Sequence, residues 1–69
     1  MSAAIDQARA MEGQARALIH AGNLDAAAAV LREAIKILEA AYTAAKDDPA
    51  EQTLITKELA VVVGLLDST

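Results

Sequence analysis

The sequence predicts an all-α fold: a small three-helix bundle, built from an antiparallel helical hairpin and a third helix, over a single domain of residues 1–69. Three observations predict it. Apolar residues recur at helical spacing across three stretches, which gathers them on one side of each helix. Gly22 and Asn23 form a helix stop followed at once by a cap for the next helix. Asp48, Pro49 and Glu51 form a second start signal, combining an N-cap, a proline at the first helical position and an acid three residues after the cap.

The first helix is expected over residues 3–21. Ser2 is its N-cap, and Asp6 faces the positive end of the helix dipole. At about 100° per residue, Ala4, Ile5, Ala8, Met11, Ala15, Leu18 and Ile19 share one side, while Asp6, Arg9, Gln14 and His20 fall elsewhere. Gly13 lies opposite that seam, where it costs about 1 kcal/mol relative to Ala. Ala3, Ala10 and Ala17 line the same outer side, either as solvent-facing filler or as a close-packing surface for another helix.

The second helix, residues 24–46, carries the clearest pattern and takes the central place in the bundle. Leu24, Ala27, Val30, Leu31, Ala34, Ile35, Leu38, Ala41, Tyr42 and Ala45 share one broad face, with Asp25, Arg32, Lys36, Glu39 and Thr43 opposite. Arg32, Glu33, Lys36 and Glu39 are spaced for weak surface ion pairs and read as a solvated face. Lys46 in the last turn suits the negative end of the dipole. The acid pair Asp47 and Asp48 reads as a cap, since no further oxygen ligands stand at calcium-loop spacing.

The third helix, residues 49–66, departs from a simple bundle. Val61, Leu54, Leu65, Val62, Ile55, Leu66, Leu59 and Val63 cover roughly 200° of its circumference, more than two neighbouring helices need. Glu58 falls inside that arc, where a charged residue must be paired, protonated or placed at a wet edge. Thr53, Thr56, Lys57, Ala60 and Gly64 take the other side. The expected interaction surface is therefore Leu54, Glu58, Val61, Val62, Leu65 and Leu66.

Composition excludes several function classes. Ten acidic against six basic residues give a formal charge of −4, which repels phosphate backbones and anionic lipid, so no nucleic-acid partner is expected. The absence of cysteine removes disulfides and thiolate metal sites and suits a reducing compartment. The opening MSAAIDQARAME lacks the basic and apolar segments of a signal peptide, and apolar runs such as Leu59 to Val63 fall far short of the roughly 20 residues of a membrane span. A cytoplasmic protein is expected. Eighteen Ala favour helix formation, but with one Tyr and no Phe or Trp the core is thin. A homodimer or higher oligomer is expected from that thin core together with the apolar arc of the third helix, wider than two neighbours within one chain can cover, meeting at Val61, Val62 and Leu65 with Glu58 at the rim.

The segment from Met11 to Ile37 resembles a tetratricopeptide repeat. Ala15 and Leu18 stand at the small and large positions of its first helix, Gly22 and Asn23 at the turn, and Ala27, Leu31, Ala34 and Ile35 at the packing positions of its second. Gln14 replaces an apolar residue of that pattern, and the second helix continues past Glu39, where the repeat usually ends in Pro. Over Ile5 to about Leu66 the chain is similar to the microtubule-interacting and trafficking domain, a three-helix bundle of related shape. Ala4, Ile5 and Ala8 match its opening helix, and Gly22, Asn23 and Leu24 match its first turn. The resemblance implies a non-enzymatic module that binds short helical motifs in grooves beside its third helix. Val61, Gly64 and Leu66 stand roughly where that family carries Tyr, Arg and Glu.

No catalytic constellation is present in the sequence. His20 is the only histidine and Ser2 and Ser68 lie near the ends, so neither a triad nor a metal site assembles from them, and the three Gly are too dispersed for a phosphate-cradling loop. No enzyme activity, cofactor or metal is expected. The leading expectation is a protein-protein interaction module that binds a partner helix beside its apolar third helix. The alternative is a self-assembling structural subunit of a larger complex. A small-ligand carrier ranks third, because Ala-rich seams bring helices too close to leave a cavity.

Overall fold

The computed structural model describes residues 2–69. Three helices follow one another: α1 (Ala3–His20), α2 (Leu24–Ala44) and α3 (Pro49–Asp67). Short connections make neighbouring helices antiparallel, so α1 and α3 run the same way on either side of the α2 seam. The α1–α2 hairpin is the most extensive contact, α2–α3 follows, and α1 and α3 touch least. The resulting body measures 40 × 18 × 14 Å.

The helix ends form where the local chemistry dictates. Ser2, Asn23 and Asp48 each accept a hydrogen bond from the backbone N–H three residues on, Asp48 most tightly at 3.1 Å from Glu51. Between α1 and α2, Gly22 N–H donates to the Ile19 carbonyl and Asn23 N–H to the Leu18 carbonyl, at 3.0 and 2.9 Å. That pair of bonds is the Schellman arrangement, and it requires the left-handed backbone that Gly22 adopts at φ +79°. Asp48 uses its own N–H on the Ala45 carbonyl at 2.9 Å. The reciprocal half of a capping box is therefore not formed, and Glu51 contributes its N–H and its first-turn charge.

The observed boundaries shift the expected ones slightly. Helix α1 stops at His20, with Ala21 as its C-cap, and α3 gains Asp67. Helix α2 ends at Ala44 rather than Lys46, because Ala45–Asp47 curl into the turn that sets up the Asp48 cap. Lys46 thus lies outside the last helical turn.

Small and large residues divide the core between them. Ala8 and Ala15 on α1, with Ala27 and Ala34 on α2, are fully enclosed and allow close approach of the two helices. The bulk comes from Leu31 and Leu38 on α2 with Ile55 and Val62 on α3, all four at zero exposure and each pair one heptad apart. Burying a side chain such as Leu31 stabilises by about 1.5 to 3 kcal/mol. Leu24 and Tyr42, assigned to the buried face of α2 by periodicity, are instead about two-fifths exposed, since both sit near the helix ends beyond the cover of their neighbours. Of the spaced charges on the outer face, Lys36 and Glu33 approach to 4.0 Å with both side chains well exposed, so the pair contributes little. Ala3, Ala10 and Ala17 are exposed and pack against neither α2 nor α3.

Candidate interaction groove

The residues expected to form one surface on α3 separate into two groups. Val62 is fully buried against the hairpin, and Glu58 is only 7% exposed, so neither belongs to a free face or its rim. This corrects the centre of the expected surface. The apolar arc is wide because it serves the intramolecular core as well as the outside, with Ile55, Glu58 and Val62 turned inward. Leu65 and Leu66 are half-buried against the core, which leaves Leu54 and Val61 as the exposed members, at 52% and 43%. Those two stand one heptad apart, on the same side of α3 and adjacent to Glu58. Val63, 44% exposed, points away from them.

Leu54 opens into a groove of about 420 Å³ between α1 and α3. Ile5 supplies its apolar wall from α1, and Asp6, Arg9, Glu51 and Lys57 supply charges of both signs along its edges. The groove exists because α1 and α3 are the least closely packed pair, each being held chiefly by α2. A second depression of about 370 Å³ lies between α2 and α3, lined by Glu39, Tyr42, Thr43, Thr56 and Leu59. The hydroxyls of Thr43 and Thr56 are already bonded to carbonyls of their own helices, so that side presents fewer free donors.

Beneath the α1–α3 groove lies an arrangement absent from the sequence reading. Glu12 projects from α1 into the seam and is 4% exposed, between fully enclosed Ala8 and Ala15. The hydrophobic count placed Met11 on that seam, but Met11 is half-buried on its flank. Residues 5, 8, 12 and 15 repeat with a 3-4-3 spacing, and that spacing was the available signal for Glu12. The two small alanines leave room for a longer side chain between them.

Glu12 meets Glu58. Burial pushes the Glu12 carboxyl up to about 7, reinforced by its hydrogen bond to Glu58 and by repulsion from it, and Arg16 and Arg9 oppose the rise. The same hydrogen bond lowers Glu58 against the effect of its own burial, with Arg9 assisting. Arg9 donates from Nε to Glu58 Oε1 at 3.1 Å, whereas Arg16 reaches Glu12 Oε1 only at 3.9 Å. The opposite directions of the two shifts favour charge on Glu58 and a proton on Glu12. Glu58 inside the apolar arc is thus paired with Arg9 at 3.1 Å.

His20 is exposed in the last turn of α1, apart from this cluster. Among the described residues, no group of three or more His, Asp or Glu side chains is placed to hold a metal, and no helix is long and apolar enough to cross a membrane. Comparison with protein-family models, curated proteins and solved structures finds no match to this chain.

Proposed function

We propose that the chain is a non-enzymatic interaction module whose α1–α3 groove receives an amphipathic helix from another protein. The observation that carries this reading is the pair Leu54 and Val61, large apolar side chains left half-exposed on one side of α3 beside a groove with an apolar wall. A partner helix presenting apolar anchors at i, i+3 or i+4, and i+7 would cover both, and mixed charge along the edges of the groove would set its register. The resemblance to microtubule-interacting and trafficking domains supports the same class of ligand. Val61, Gly64 and Leu66, in place of that family's Tyr, Arg and Glu, make the contact more apolar and so favour a partner with a more apolar face.

Site-specific photo-crosslinking tests the proposal. A photoreactive residue at position 54, in cells that express the protein, should capture a heterologous partner, and Val61→Asp should abolish the adduct. The same probe at Arg32, on the outer face of α2, should give none. Self-adducts alone, or equal adducts from both positions, would contradict the reading.

A further inference from the structure

Two carboxyl groups enclosed together on facing helices are an unusual use of a core this small. The Glu12 side chain is 5% exposed and that of Glu58 is 9% exposed. Glu12 Oε2 is buried with no hydrogen-bond partner among the described residues. A hydrogen bond between two carboxyl groups needs a proton on one of them. Arg9 stabilises charge on Glu58, which assigns the proton to Glu12.

We propose that Glu12 and Glu58 form a proton-operated latch between α1 and α3. One proton held between the carboxyl groups ties the helices, and its loss sets two enclosed carboxylates against each other and loosens α3 from α1. The surroundings determine how strongly that loss is felt. From α1 the pair is faced by Arg9 and Arg16, with Asp6 farther along the groove; from α3, Lys57 and Glu51 line the same groove. The charged residues of helix α2, Asp25, Arg32, Glu33, Lys36 and Glu39, are all exposed. Among the described residues the cations near Glu12 are Arg9, which is engaged by Glu58, and Arg16 at 3.9 Å, so an ionised Glu12 is poorly compensated. Motion falls on the α1–α3 contact because it is the slightest in the bundle, while Ile55 and Val62 keep α3 on α2.

The sign follows from linkage. Glu12 is raised in the folded chain from 4.5 to about 7, so its contribution to stability is fully present below about 4.5 and is lost as pH rises to about 7. The folding equilibrium should therefore weaken as pH rises through that window. The latch stands whatever occupies the groove above it.

Carbon-detected NMR of the glutamate carboxyls, with hydrogen exchange of backbone amides corrected for intrinsic rates, tests the latch on the free protein. The Glu12 carboxyl should titrate near 7. Protection of α3 amides should fall about tenfold or more between pH 5.5 and pH 8. Glu12→Gln, which keeps the shape and donates an amide hydrogen to Glu58, should abolish that fall. Should this variant not fold, Glu58→Gln serves instead, because removing the facing charge should move the Glu12 titration downward. A Glu12 titration near 4.5, an α3 protection independent of pH, or a pH response unchanged in the folded variant would overturn the proposal.

Discussion

Arg9 on α1 donates from Nε to Glu58 Oε1 on α3 at 3.1 Å, closing a contact between residues 49 positions apart. The two ends of this bond are unequal, since Arg9 is 67% exposed and Glu58 only 9%. Removing Arg9 frees an already wet group but leaves an enclosed carboxylate with one donor fewer. Arg9→Ala should therefore destabilise by about 1 kcal/mol, the lower part of the range for orphaning a buried acceptor. Urea midpoints at neutral pH check it.

The acid side of the pH profile follows from the same bond. Glu58 is lowered in the folded chain, so its stabilising contribution is present above about 4.5 and is lost as pH falls through its folded value. Glu12 acts in the opposite sense from about 4.5 upward. Thermal midpoints should accordingly peak near pH 5, with lower values at pH 3 and at pH 8.

Two glycines should respond to the same substitution with opposite sign. A Cβ at Gly13 or at Gly22 meets nothing within 4 Å, so space does not distinguish them. Backbone conformation does. Gly13 lies within helix α1, where Gly13→Ala should stabilise by about 0.5 to 1 kcal/mol. Gly22 has φ +79°, and Gly22→Ala should destabilise by about 1 to 2 kcal/mol. Thermal denaturation of both variants checks the contrast.

Neighbouring residues on α2 and on α3 test which face is inside. Leu31 is fully buried and Arg32 exposed, so Leu31→Ala should cost about 2 to 5 kcal/mol and Arg32→Ala less than about 0.5. On α3, Val62→Asp should unfold the chain, whereas Val61→Asp should leave its circular dichroism and urea midpoint nearly unchanged.

The parts of the fold legible in the sequence are those set by local chemistry. Ser2, Asn23 and Asp48 cap helices because a short side chain followed by a helical run has few better conformations, and Gly22 ends α1 because its positive φ excludes most other residues. The heptad pairs on α2 were legible for the same reason, one face being uniformly apolar. The site was less so. A sorting of faces by hydrophobicity passes over Glu12, a carboxyl enclosed at 4% exposure in a core that also holds a second carboxyl, Glu58, 46 positions away. On α3 the apolar arc did not reveal which half turns inward, because packing against α2 decides it. Val62 went inside and Val61 outside although the two are adjacent.

The solution mass of the wild-type chain across a dilution series, measured by sedimentation velocity beside Leu54→Asp, decides whether the α3 strip meets a second copy of the chain. With Val62 and Glu58 occupied inside the bundle, the remaining strip at Leu54 and Val61 is narrow, and both proteins should be monomers at every concentration. A wild-type dimer that dissociates on dilution and is abolished by Leu54→Asp would contradict it, assigning the α3 strip to a second copy of the chain in place of a foreign helix.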